Sequence, residues 1–277
     1  MVDAISVTFW GVRGSMPCTE ARYQEFGGHT ISLEVCIGGQ ILAIDMGSGV
    51  RRFGEKLHHA KHSARLPVLF SHLHLDHLLG LPSFAPLYNK DMQIDFYGAN
   101  QFFGHGSLQE SLQRFCAPPF FPIKFSDMPA RITCHDFAPG AILYPFKDEI
   151  AVRTVAIPHP NGCVGYRFDY TGKSLALLCD MMPIRDDEEK ILDAVAGVDA
   201  LIIDAAYDDA QYAKREDWGH CNWSYVLELA RKIGAPPVYI IHHDMLNDDV
   251  ALRIMEGEAK ACYDCVTFVH QGLTISV

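Results

Sequence analysis

An apolar run from Leu66 to Phe70 leads into His72-Leu73-His74-Leu75-Asp76-His77, and Leu78-Leu79-Gly80-Leu81 follows. Three imidazoles and a carboxylate are thus packed into a strand end and the turn behind it. Side chains two apart on a strand point the same way, so His72 and His74 are expected on one side and Leu73 on the other. Asp76 and His77 then fall at the mouth of the next helix. Imidazole nitrogen and carboxylate oxygen are the donors that zinc and similar borderline metals prefer. The apolar flanks argue against a solvated His-rich loop.

The rest of the chain bounds what such a cluster can serve. Of its 277 residues, 49% are hydrophobic, enough for a sizeable core in one large domain or two small ones. Net charge is −11 with His neutral, and no Lys/Arg cluster forms a phosphate-tracking stripe. This disfavours a large nucleic-acid partner without excluding one, because bound cations reverse the local field of a site. The nine cysteines are scattered and odd in number. Met1 to Ala4 lacks the charged and apolar regions of a secretory leader, so a reduced, cytoplasmic protein is expected. Cys262 and Cys265 have CxxC spacing but no second pair to complete a zinc knuckle. No apolar stretch reaches the ~18 residues of a membrane span.

Along the chain, β-branched or alternating runs predict strands at Ile5 to Trp10, Ile31 to Ile37 and Gln40 to Ile44, with Gly38-Gly39 as a hairpin turn. Val50 to His59 fits a helix and Pro67 to Phe70 a buried strand. The second half predicts strands at Ile150 to Ile157, Val164 to Tyr170 and Ser174 to Leu178. Helix and strand then alternate: helix 186–196, strand 200–203, helix 223–233, strand 238–241, helix 248–260, and final strands near Val266 and Leu273. Two halves of this kind suggest two sheets packed face to face with helices outside. No composition shift marks a linker, so residues 1–277 read as one domain. An aromatic, Pro-rich insertion at about 98–130 reads as a substrate-facing lid or a subunit contact.

One short motif cannot complete a metal site, so further ligands are sought at other strand ends. His159 follows the strand ending at Ile157, Asp180 follows Leu175 to Cys179, and the adjacent His242 and His243 follow Val238 to Ile241. Apolar strand followed by His or Asp is the shared pattern. Asp45, after its own strand, could orient an imidazole or cap the Gly47-Ser48-Gly49 turn. His220 lies at the start of the helix from Trp223, and Asp204 ends the strand Leu201 to Ile203. A His–Asp pair is the usual arrangement for an imidazole that must act as an acid.

The His-X-His-X-Asp-His run with His159, Asp180 and His242 resembles the metallo-β-lactamase superfamily over nearly the whole chain. The similarity is strongest to its phosphodiesterase branch, which includes ribonuclease Z, the tRNA 3′-processing endonuclease. Phe9 to Ser15, Gly27-Gly28, His159 to Tyr166 and Ile241 to Asp244 resemble a group of hydrolases within that branch. The resemblance implies an α/β (α+β) fold, the αββα four-layer sandwich, with two divalent metal ions, Zn, Mn or Fe, at the sheet edges. It implies His72, His74 and His159 on one ion, Asp76, His77 and His242 on the other, and Asp180 bridging. His242 is preferred to His243 because it aligns with the family's strand-terminal histidine. Asp76 would also orient the attacking water. His220 matches the catalytic histidine of that branch and Asp204 the acid behind it, one carbon shorter than the usual Glu. Cys221 and Asn222 depart from the usual Ser-Thr, leaving Asn222 as the expected helix cap.

The His220–Asp204 pair favours a phosphodiesterase over a carboxylic ester, lactone or thioester hydrolase. An oxidoreductase would favour a carboxylate in place of His74. Between Gly98 and Ala130 only Arg114 and Lys124 are cations, so a small phosphodiester (a cyclic nucleotide or cyclic phosphate) is preferred to tRNA. Arg13 and Arg167 are candidate phosphate contacts. The resemblance favours a homodimer. A non-catalytic, metal-bearing sensor is the remaining alternative.

Overall fold

The computed structural model describes residues 5–60, 65–146, 150–183 and 188–277. In the first half, β1 (Ile5–Gly11), β2 (Ser32–Ile37) and β3 (Gln40–Ile44) form a meander. Helix α1 (Val50–Ala60) then leads to β4 (Arg65–Leu69) and the short α2 (Leu75–Leu78). Next come β5 (Gln93–Gly98), α3 (Leu108–Phe115) and β6 (Arg131–Asp136). The second half runs through β7 (Ile142–Leu143), β8 (Val152–Ile157), β9 (Cys163–Tyr170) and β10 (Lys173–Leu178). Helix α4 (Glu188–Val195), β11 (Ala200–Asp204), α5 (Asp209–Tyr212) and α6 (Trp223–Lys232) follow. Strand β12 (Val238–Ile241), helix α7 (Asp249–Cys262), β13 (Val266–Phe268) and β14 (Thr274–Ser276) complete the chain.

These strands make two seven-stranded sheets, ordered β14-β1-β2-β3-β4-β5-β6 and β13-β12-β11-β10-β9-β8-β7. In β1 every second residue is fully buried, the period expected of a strand with one face on a core. Strands β10 to β12 are nearly continuous apolar runs, as parallel strands covered on both faces must be. One cluster packs α1 and α3 on the outer face of the first sheet through Phe53, Phe84, Phe96 and Leu112. A larger one fills the space between the sheets and continues under α4, α6 and α7 through Ile191, Val226 and Leu252. The result is the expected αββα sandwich.

Register determines where the chemistry lies. Strands β10, β11 and β12 are parallel, with Leu178 opposite Ile203 and Asp204 opposite Ile241. Strand β8 runs antiparallel to β9, and β9 to β10, so β8 ends at the same edge. Asp180, Asp204, His242 and His159 therefore leave their strands together.

Two sequence expectations change. Strand β4 stops at Leu69, so His72 and His74 sit on the irregular link to α2 rather than on the strand. They still converge, with ring centroids 4.4 Å apart. The 98–130 stretch lacks an obvious period yet holds α3 within the β5–β6 crossover. The predicted helix start at residues 186–187 lies outside the described residues. Among the described residues no helix is long and apolar enough to cross a membrane.

Candidate metal centre

Four overlapping groups of donor atoms among the described residues meet at this edge, and two of them match the expected ligand sets. His72, His74, His159 and Asp180 form one; Asp76, His77, Asp180 and His242 form the other. Within each group the donor atoms lie within 4.8 Å of one another. Asp180 belongs to both: its Oδ2 is 3.6 Å from His72 Nε2, 3.7 Å from His159 Nε2 and 3.3 Å from His242 Nε2. Its Oδ1 is 3.2 Å from His77 Nε2. Asp76 Oδ2 faces His242 Nε2 at 3.1 Å and accepts from the Ser15 backbone N–H at 2.8 Å. The structure thus brings together all seven residues that the sequence singled out.

The chemistry of this nest fits a cation. His72 Nε2, His77 Nε2 and Asp180 Oδ1 are buried and make no hydrogen bond. Such atoms cost about 1–3 kcal/mol each when left unsatisfied, and all three point into the cluster. Burial drives the His72 imidazole well below its ordinary pKa and that of His159 down to about 4. Burial also opposes charge on His77 and His242, but Asp180 and Asp76 win. They lift His77 well above its usual range and His242 to about 9. Both carboxylates are held far below theirs, chiefly by His77 and His242, against their own burial.

The outer ring nitrogens are held from behind. His77 Nδ1 donates to Asp45 Oδ2 at 2.8 Å, and His159 Nδ1 to the Gly219 carbonyl at 2.8 Å. Asp45 also accepts from Ser71 N and Oγ at 2.8 and 2.7 Å. Of its two predicted roles it takes the first, orienting an imidazole, while the Thr30 hydroxyl receives the Ser48 N–H of the turn. Asp45 (φ 57°) and His242 (φ 61°) are left-handed. The chain bends sharply at the end of β3 and β12, at roughly 1–3 kcal/mol per residue. That bend sends His242 into the cluster and His243 away. His243 Nε2 donates to the Val269 carbonyl at 2.9 Å, and its ring stacks on Phe268.

Beside this nest, His220 Nδ1 donates to Asp204 Oδ2 at 2.8 Å. Asp204 is fully buried and also accepts from Met181 N and Ala206 N. The His220 ring stacks on His242 with centroids 4.5 Å apart. Asn222 occupies the N-cap position of α6 without a side-chain cap; its amide donates to Asp209 instead.

Neither arginine reaches the site as a phosphate contact. Arg13 is wholly buried and donates to the carbonyls of Gly27 and Asn247 at 2.8 and 2.6 Å. Arg167 is tied to Asp169 and to the carbonyls of Ala194 and Ala196. Both are structural. Sequence reading missed Gly14, where a Cβ would stand 2.1 Å from the His242 ring, as well as Ser15 and Ser71. The glycine within Phe9 to Ser15 was the available signal.

A cleft of about 1240 Å³ opens from His72 and His74 toward α3, with Leu73, Asn100, Phe103 and Arg114 among its walls. The 98–130 stretch supplies one side of it.

The family model of the β-lactamase superfamily domain matches residues 44–243. The chain belongs to the metallo-β-lactamase superfamily. Ribonuclease Z of Porphyromonas gingivalis is 24% identical, over 92% of this chain and 94% of its own. A diphosphatase of the PhnP family superposes with a TM-score of 0.71 at 18% identity, covering 99% of this chain and 97% of that one. The Zn(2+)-bound PqqB of Methylobacterium extorquens does so with a TM-score of 0.74 at 16% identity, covering 98% and 100%. The sandwich is therefore a metallo-β-lactamase fold, and in PqqB it carries a divalent metal. The family, the fold and the enzyme class read from the sequence, a hydrolase of this superfamily, stand.

Proposed function

We propose that this metallo-β-lactamase-fold protein is a dinuclear metal-dependent phosphodiesterase acting on a small phosphodiester, such as a cyclic nucleotide or cyclic phosphate. The observation that carries the reading is the His220–Asp204 pair beside the metal nest. His72, His74 and His159 would hold one divalent ion, Asp76, His77 and His242 the other, with Asp180 shared. Zn, Mn and Fe all suit this donor set. When bound, such ions supply Lewis acidity toward phosphoryl oxygen and activate water for attack.

The chain's own residues do the rest. Asp76, pinned by the Ser15 N–H, would orient the attacking water. Cleavage of a phosphodiester leaves an alkoxide, which profits from a proton at the moment of departure. His220 Nε2–H would deliver it, while the buried Asp204 carboxylate stabilises the imidazolium through Nδ1. The cleft beside His74 would take the organic part of the substrate. Arg114 is the one Lys or Arg among its lining residues, too few to track an RNA backbone.

The ribonuclease Z relative supports a second reading, tRNA 3′ processing. Assaying Zn- or Mn-reconstituted protein on bis-p-nitrophenyl phosphate, cyclic nucleotides and precursor tRNA separates them. Turnover of the small diesters is expected. Salt-sensitive tRNA cleavage without it would overturn the preference, and turnover of carboxylic esters, lactones or thioesters alone would move the protein to an acyl hydrolase. A cytoplasmic location is part of the same proposal, supported by nine free cysteines. So is a homodimer, which light scattering of the reconstituted protein tests.

A further inference from the structure

Four imidazoles of the nest show one arrangement: one ring nitrogen faces the cluster and the other is engaged outside it. For His77 the outer partner is Asp45, and for His159 it is the Gly219 carbonyl. For His72 it is Ser71 Oγ, 3.1 Å from Nδ1. Because Ser71 Oγ gives its own proton to Asp45, it accepts from His72. In each case the outer nitrogen carries the proton, so the inner one presents a lone pair.

His74 is turned the other way round. Its Nδ1 faces inward, 3.1 Å from His159 Nε2, and its Nε2 faces outward, 3.3 Å from the Asn161 side-chain amide. For Nδ1 to offer a lone pair, Nε2 must carry the proton, and Asn161 is the side chain it faces at this exposed edge. Rotation about the Cβ–Cγ bond of Asn161 exchanges its amide nitrogen and oxygen in the same space, so Oδ1 can take that place.

The Asn161 backbone is fixed from the far side. Its φ is +66°, a left-handed value that Asn tolerates better than most residues. Its carbonyl accepts from His105 Nε2 at 2.9 Å, and Arg114 Nη2 donates to the His105 carbonyl at 3.3 Å. The Phe103 ring fills the space that a Cβ on Gly162 would need, 2.3 Å away. The 98–130 stretch thus clamps the loop that carries Asn161.

We propose that Asn161 is a positioning residue for the metal site: its Oδ1 accepts from His74 Nε2–H and so fixes the imidazole with Nδ1 turned to the ion. The inference rests on the proposed ligation by His74, and the test keeps the two apart. A residue present only for its backbone conformation would be replaced by glycine without loss, since Gly adopts φ > 0 freely. Asn161→Gly and Asn161→Asp are compared with the unaltered chain for zinc retention against a competing chelator, alongside thermal unfolding of the metal-free forms. Expected is a fall of about 10–100-fold in affinity for one of two zinc equivalents in Asn161→Gly. Metal-free unfolding should be unchanged, and Asn161→Asp, which keeps an acceptor, should retain near-native affinity. Native zinc affinity in Asn161→Gly would overturn the proposal, as would equal loss in both variants or loss matched by lower metal-free stability. An unaltered chain that holds neither zinc nor manganese nor iron would instead overturn the metal reading itself.

Discussion

At residue 14 there is room for a hydrogen and nothing larger, because the His242 ring occupies the space where a Cβ would go. Gly14→Ala should push that ring off its position, and we expect zinc affinity to drop about 10–100-fold, as when a supporting contact to a ligand is lost. Equilibrium dialysis of the variant against zinc checks this. His220→Ala tests the opposite case, a group that acts on substrate without holding metal. Its kcat for a small phosphodiester should fall by about 10²–10⁴, with the metal content by elemental analysis unchanged. Undiminished turnover would remove His220 from the reaction. The candidate ligands were readable in the sequence because each follows an apolar strand, and a strand's end is where a side chain can leave the core and meet others. Gly14, Ser15 and Ser71 were not: they act through a missing atom, a backbone N–H and a hydroxyl, and of the three only the glycine left a trace, within Phe9 to Ser15.

Among the elements, α3 is the instructive omission. Eight residues with Leu108 and Leu112 buried are too short to set a visible period. The signal that was present is Ser107 three residues before Glu110, a reciprocal capping box: Ser107 Oγ accepts from Glu110 N, and Glu110 Oε2 from Ser107 N. Ser107→Ala should cost about 1 kcal/mol, seen as a lower midpoint of urea unfolding with an unchanged slope. Strand β6 went unread for a different reason. It is an edge strand with no fully buried residue, so burial imposes little alternation on it. Strands β10 to β12 were legible because burial on both faces leaves only apolar residues acceptable.

For the whole molecule, the metal nest is a stability element as well as a site. Seven polar groups crowd together there, and His72 Nε2, His77 Nε2 and Asp180 Oδ1, buried without hydrogen bonds, carry their desolvation cost for as long as no ion is present. Removing metal with a chelator should lower the melting temperature, and zinc should restore it. The linkage is worth about 4 kcal/mol at a thousandfold excess over Kd; scanning calorimetry with and without chelator reads it directly. The thiols give an independent check of the packing. Of the nine, Cys262 and Cys265 are exposed. Burial pushes Cys116 up to about 11 and Cys134 up to about 12, where little thiolate exists at neutral pH. Maleimide should therefore label the native protein rapidly at two positions and the unfolded protein at nine.

The last strand does not stay with the sheet that precedes it. After β13 closes one edge of the second sheet, the chain crosses over, and β14 pairs antiparallel with β1 at the edge of the first. The Gly272 N–H donates to the Phe9 carbonyl at 2.7 Å, and Val277 N–H to Ile5 O at 2.9 Å. These few residues act as a clasp over an otherwise open β1. A protease nick near Gly272 would unbutton that margin, and β1 would then offer its bare backbone to any strand that came by, the usual start of polymerisation.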